Sequence, residues 1–305
     1  MSKILITGAS GFVGSYISFE LAKNHTISAI SRGVLSNSFE EVFSWNNYNY
    51  EPCDYDVVIH LAGLAHDTSN SKEEEEYFKI NRDLTASIVK WINESKNSVK
   101  LIYLSSIKVY DESTLIDENS VKGPKSIYGK SKLAAENIII EDLYDNHRYY
   151  ILEPSMIYGI GNKGNLPKLF YSLLRGVPFP FGRWENKRSI LAIENLSFII
   201  TQLIKKNISS DFFVVSDDES ISTATMVDEL FKNTNTSLIR WSIPSFLVRL
   251  IIWFSNKLGV NTFEKLLGNL EVNNKKIKDA LNINKLPYDV RTSLNLLGKQ
   301  MELNK

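Results

Sequence analysis

Residues 3–24, KILITGASGFVGSYISFELAKN, carry a short apolar strand into a glycine-rich turn and then into apolar residues at helical spacing. The glycines are Gly8, Gly11 and Gly14, a G-x-x-G-x-x-G spacing whose position between strand and helix matters more than its letters. So tight a turn needs a residue that tolerates positive φ, and the helix that follows offers unpaired N–H groups with a partial positive charge. The segment predicts a cradle for a dinucleotide pyrophosphate, built from Gly8, Ser10, Gly11, Phe12, Val13 and Gly14. The plainer reading of the same letters is a structural turn.

The pattern repeats along the chain. TISAISR (26–32) closes a first β-α-β unit, YDVVIHLAG (55–63) and VKLIYLSS (99–106) read as buried strands, and EEEEYFKINRDLTASIVKWINES (73–95) and YGKSKLAAENIIIEDLY (128–144) read as helices. Strands alternating with helices predict an α/β fold with a Rossmann-type, doubly wound parallel sheet. Residues 1–160 are expected to bind the dinucleotide, with a late strand near 211–216 returning to the sheet. Residues 161–305, whose first part is rich in Gly, Pro, Asn and basic side chains, are expected to form most of a smaller, interleaved substrate domain.

Composition excludes several classes. Lys plus Arg and Asp plus Glu both total 35 in 305 residues, which gives no basic field for nucleic acid. A lone cysteine, Cys53, cannot form an intramolecular disulfide, and His25, His60, His66 and His147 have no metal-ligand spacing, so a reducing, cytoplasmic setting and no metal are expected. The start, MSKILITGAS, lacks the three-part pattern of a signal peptide. The longest apolar run, Phe246 to Phe254, contains Arg249 and falls short of the roughly 20 residues that span a bilayer. It reads first as a buried helix, with peripheral membrane contact as the other reading. KEEEE (72–76) reads as a solvated helix start.

At the end of the second strand stand Ser31 and Arg32, where an acid would accept hydrogen bonds from the ribose of NAD(H). Arg32 suits a 2′-phosphate, so NADP(H) is favoured over NAD(H). Tyr128 and Lys132 are four apart on a helix and share a face. A neighbouring ammonium and an oxidised nicotinamide both favour phenolate, which would let Tyr128 exchange a proton near neutral pH.

The motifs TGASGFVG, HLAG, KINRDLT, LSSIKVY, YGKSK and EPSMIYG, in this order, resemble the extended short-chain dehydrogenase/reductase family over essentially the whole chain. The resemblance implies catalysis by Ser106, Tyr128 and Lys132. It implies cofactor contacts from Leu61, Ala62, Gly63, Asn81, Ser105 and Pro154 besides the glycine loop, Arg32, Tyr128 and Lys132. Two positions depart from the pattern: the glycine of N-x-x-G-T is Leu84, and the arginine before the proline of R-P-x-x-x-Y-G is Glu153. Helix packing and cofactor-side contacts are the features these departures put in question. The stretch between Arg32 and Tyr55 is short and has no clear match to the acid that contacts adenine.

LSSIKVY, the 158–196 region and the 244–272 tail resemble a branch of surface-polysaccharide enzymes that act on nucleotide-activated amino sugars. This implies substrate contacts from Ser106, Lys108, Asn165 and Arg188, with Arg188 at the diphosphate of a UDP-sugar. The expected activity is NADPH-dependent reduction of the C4 ketone of a UDP-4-keto-6-deoxy-N-acetylhexosamine, in capsule or O-antigen precursor synthesis. An NAD-dependent UDP-sugar 4-epimerase would use the same residues but keep its cofactor. A non-catalytic dinucleotide sensor or scaffold, a membrane-surface epimerase acting on a polyprenyl-linked sugar, and a homodimer also remain open.

Overall fold

Apolar runs such as KILIT and VVIH are what strands covered on both faces require. In the computed structural model they form the middle of one sheet. The structure describes residues 1–32, 39–49, 53–65, 73–111, 114–257 and 266–304. His66, Lys72, Leu258 and parts of the stretch between Arg32 and Tyr55 lie outside the described residues.

The first half of the chain forms β1 (Lys3–Thr7), α1 (Phe12–Ala22), β2 (Thr26–Ile30), β3 (Val42–Phe43), β4 (Val57–His60), α2 (Glu74–Phe78), α3 (Leu84–Asn93), β5 (Lys100–Leu104), β6 (Leu115–Ile116), α4 (Ile127–Asp142) and β7 (Arg148–Pro154). There follow β8 (Met156–Tyr158), α5 (Asn165–Leu174), β9 (Ile190–Ala192), α6 (Ile193–Lys205), β10 (Asp211–Val215), α7 (Thr223–Phe231), α8 (Ser245–Lys257), β11 (Glu271–Val272), α9 (Lys275–Leu281) and α10 (Val290–Leu303).

Seven strands make one parallel sheet in the order β10-β7-β5-β4-β1-β2-β3. Side chains alternate across it, as a period of two demands. Ile4 and Ile6 join Ile17 and Leu21 of α1 and Leu196, Ile199 and Ile200 of α6 on one face. Leu5 joins Ile88 and Ile92 of α3 and Ala135 and Ile139 of α4 on the other. The chain leaves β1 toward β2 on one side and β4 lies on the other, so the order reverses there, and ligands in sheets of this kind bind beyond the carboxyl ends of the strands at such a switch point.

A separate apolar cluster joins Leu166 and Phe170 of α5, Val227 and Leu230 of α7, and Leu294 and Leu297 of α10. Small parallel pairs, β8 with β9 and β6 with β11, tie this region to the sheet. The strand expected near 211–216 is β10, paired with β7.

Two expectations need correction. The helix read over 73–95 is not uniform: a π-helical turn, Lys79–Asp83, separates α2 from α3. The apolar run at 246–254, read first as buried, turns Phe246, Leu250 and Trp253 to solvent, and Val248 alone among the helix's described side chains is buried. Apolarity marks a face that avoids water, but not what covers it.

Candidate active site

The carboxyl edge of the sheet gathers the loops that follow β1, β2, β4, β5 and β7, and α4 runs alongside. Gly8 ends β1 with φ +72°, where a side chain is strained, and a Cβ there would lie 2.7 Å from Ala62 N. A Cβ on Gly14 would lie 2.1 Å from Gly8 O, so this glycine lets α1 close onto the turn. Gly11, between them, is exposed and precedes α1 without a side-chain cap. The first turn of α1 has no acid to compete for its N–H groups. The cradle could hold a pyrophosphate: glycines leave its backbone uncovered, and no side chain among the described residues caps the first turn of α1. Ser10 is exposed beside it, and Phe12 and Val13 are half-buried. Arg32 is exposed just past β2 and forms no ion pair among the described residues.

The loop after β4 is held by buried polar groups. Asn81, in the π-helical turn, accepts from Leu64 N at 2.7 Å and donates to Leu64 O at 3.1 Å and Ser131 Oγ at 2.9 Å. Ser131 in turn donates to Tyr128 O at 2.8 Å. Ala62 N donates to Thr7 Oγ1 at 3.1 Å, and Thr7 Oγ1 is hydrogen-bonded to His60 Nδ1 at 2.7 Å. Thr85 donates to Asn81 O, so it accepts from His60 Nε2 at 3.0 Å. His60 is thereby fixed as the neutral Nε2–H tautomer, and burial holds its pKa down to about 3. Leu61, Ala62 and Gly63 line this turn, and a Cβ on Gly63 would come within 3.1 Å of both Asn81 Oδ1 and Lys132 Nζ.

Helix α4 starts at a Ser126 cap that accepts from Gly129 N at 3.1 Å. A Cβ on Gly129 would lie 2.2 Å from Lys108 O, so only glycine lets this helix meet the 3-10 turn Ile107–Val109. That approach sets the half-buried Tyr128 against Ser106, to which its phenol is hydrogen-bonded. Ser106 Oγ also accepts from the N–H of Lys108, whose side chain is exposed.

The acid–base character differs from the expectation. Burial pushes Tyr128 up to about 12, the Ser106 bond opposing it, and the expected lowering by Lys132 is not seen. The reason is direction: Lys132 Nζ donates to Leu104 O at 2.8 Å and Tyr103 Oη at 3.2 Å. Burial brings Lys132 itself down to about 8 against the pull of Glu136.

Ser105 is buried and donates to Glu136 Oε1. Glu136 belongs to a group the sequence did not reveal. Lys122 Nζ lies 2.6 Å from Glu136 Oε2 and 2.6 Å from Glu153 Oε1, and Tyr110 Oη donates to Glu153 Oε2 at 2.6 Å. Position 153, where the resemblance has an arginine, thus holds a carboxylate, and Lys122 supplies the cation beside it. Pro154 is buried at the end of β7, and the buried Ser155 Oγ after it has no partner among the described residues.

The substrate-side residues lie further along the chain. Arg188 is half-buried, donates to Gly268 O at 3.0 Å and has no carboxylate partner among the described residues. Asn165 is exposed at the first position of α5.

Residues 4–215 match the model of the NAD dependent epimerase/dehydratase family. Over 300 residues the chain is 30% identical to a UDP-glucose 4-epimerase of Vibrio cholerae, covering 91% of this chain and 89% of that one. It is 24% identical to a UDP-2-acetamido-2,6-beta-L-arabino-hexul-4-ose reductase of Pseudomonas aeruginosa, over 81% of this chain and 62% of the relative. Its fold matches that of a UDP-N-acetylglucosamine 4-epimerase from Bacillus cereus with a TM-score of 0.74 at 20% identity, over 99% of both chains.

Proposed function

The chain belongs to the NAD dependent epimerase/dehydratase family, as an NAD(P)-dependent enzyme of the extended short-chain dehydrogenase/reductase type, and from that premise we propose that it reduces the C4 ketone of a UDP-4-keto-6-deoxy-N-acetylhexosamine with NADPH. The reading assigns it to surface-polysaccharide precursor synthesis. Residues 1–160 with the 211–216 strand hold the dinucleotide in this reading, and most of 161–305 holds the sugar nucleotide. The observation that carries it is Arg32: an exposed guanidinium past β2, with no ion pair among the described residues, suits the 2′-phosphate that separates NADPH from NADH.

Gly8, Gly11 and Gly14 would hold a reduced nicotinamide dinucleotide, whose chemistry would be to supply hydride for the C4 carbon. The chain's own part is the proton. A phenol pushed up to about 12 keeps its proton at neutral pH and is set to donate it to the ketone oxygen, with Ser106 hydrogen-bonded to the same phenol. The Arg188 guanidinium, held by one carbonyl and half-buried, suits diphosphate oxygens. The similarity to the Pseudomonas aeruginosa reductase supports the reaction. A second reading, 4-epimerisation with retained NAD, is favoured by the 30% identity to the Vibrio cholerae epimerase.

Affinities for NADPH and NADH, measured on the wild type and on Arg32→Asp, test the proposal. A charge-assisted hydrogen bond is worth about 1.5–3 kcal/mol, or about one to two decades of affinity. The wild type should prefer NADPH by that margin and the variant should reverse the order. Equal affinities in the wild type would remove the argument for reduction and leave the epimerase reading.

A further inference from the structure

The function proposed above makes no use of α8. Its Phe246, Leu250, Trp253 and Phe254 are 66%, 49%, 57% and 50% exposed. Their spacing of four, three and one residues puts them on one stripe of the helix. Cations border the stripe. Arg249 is exposed one residue before Leu250, and Lys257 lies one turn beyond Trp253 with its Nζ 5.2 Å from the indole centroid. Just upstream, Trp241 and Ile239 are exposed as well.

The sequence of α8, Ser245–Lys257, carries cations and no acid. From residue 230 to residue 263 the sequence has no Asp or Glu; of its four cations there, Lys232 and Arg240 pair with Glu229 and Asp228, and Arg249 and Lys257 form no ion pair among the described residues. No helix among the described residues is long and apolar enough to cross a membrane.

We propose that the exposed face of α8 seats the enzyme on an anionic phospholipid surface, with Phe246, Leu250, Trp253 and Phe254 entering the interface and Arg249 and Lys257 meeting headgroup phosphates. Trp and Phe with flanking cations, on a helix too short to span, are the chemistry of a helix lying in the plane of the interface. A second copy of the chain fits the face less well. A two-fold interface would set the same patch against itself, and this patch brings Arg249 and Lys257 near their own copies with no acid to neutralise them. Phosphate headgroups supply that neutralisation.

The test is cosedimentation of the full-length protein with vesicles, which reads binding and not turnover and so stands apart from the catalytic assignment. Vesicles containing phosphatidylglycerol are compared with vesicles of phosphatidylcholine alone. The wild type should pellet with the anionic vesicles, release as salt rises, and bind the zwitterionic ones more weakly by about tenfold or more. Each cation near an anionic surface contributes about fivefold to binding, so Arg249→Gln/Lys257→Gln should weaken it by about a decade or more. Phe246→Ser/Trp253→Ser should abolish it, while NADPH affinity and melting temperature stay at wild-type values and show that the fold is intact. A wild type that stays in the supernatant overturns the proposal, as does serine-variant binding equal to wild type. So does a dimer, seen by sedimentation equilibrium without lipid, that the serine variant dissolves, for the face would then belong to a second copy.

Discussion

Removing the Lys122 ammonium offers a quantitative test of how the catalytic helix is supported. Lys122 stands between Glu136 of α4 and Glu153 of β7, 2.6 Å from each, and both carboxyl groups are fully buried. Burial, with Glu136 adding to it, pushes Glu153 up to about 7, so below that pH Glu153 holds its proton. That proton's contribution to stability is complete below the ordinary value of 4.5 and is lost as pH rises through about 7. Lys122→Met keeps the stem but leaves a buried carboxylate without its cation, a change that costs about 3–5 kcal/mol.

Losing the cation raises Glu153 further, so in the variant it keeps its proton near pH 8, where the wild type has shed it. At about 1.4 kcal/mol per pH unit above 7, keeping that proton adds about 1.4 kcal/mol to the loss near pH 8 and nothing near pH 5.5, where the wild type holds it too. The variant should therefore lose about 3–5 kcal/mol of unfolding free energy near pH 5.5 and about 1–2 kcal/mol more near pH 8. Urea unfolding of both proteins at both values measures it. An equal loss at the two pH values, or a loss under about 1 kcal/mol near pH 8, would refute the reasoning.

Two further outcomes concern the site. Tyr128→Phe should lower turnover by about 10²–10⁴-fold while NADPH affinity, measured by fluorescence titration, stays near wild type; a near-normal rate would remove Tyr128 from the chemistry. Arg188→Ala should weaken UDP binding by about one to two decades and raise KM more than it lowers kcat, since a diphosphate is held alike in ground and transition states; unchanged UDP affinity in calorimetry would remove Arg188 from the substrate site.

The main sheet was legible because its strands are apolar on both faces and alternate with helices. KILIT, VVIH and KLIYL need no partner information to be recognised as buried strands, and they are β1, β4 and β5. The two- and three-residue strands were not legible. Leu115–Ile116 pairs with Glu271–Val272, and nothing so short shows a period. At the site, the glycine turn and the Tyr128–Lys132 spacing were visible because they are local. The direction of Lys132 was not, since it depends on Leu104 O and Tyr103, and burial then decides the character of Tyr128. Likewise, Glu153 looked only like a missing arginine until Lys122, from 31 residues away, was found beside it.

The central claim is net reduction at C4, and isotope transfer tests it most directly. The protein is given NADPH carrying deuterium at the transferred position together with a UDP-4-keto-6-deoxy-N-acetylhexosamine, and the product is read by mass spectrometry and proton NMR. The account predicts one deuterium at C4 of the product for each NADPH oxidised, with the hydroxyl proton drawn from water. Interconversion of 4-hydroxy UDP-sugars at C4, with no deuterium gained and no NADPH consumed, by a protein that purifies with NAD bound, would contradict it.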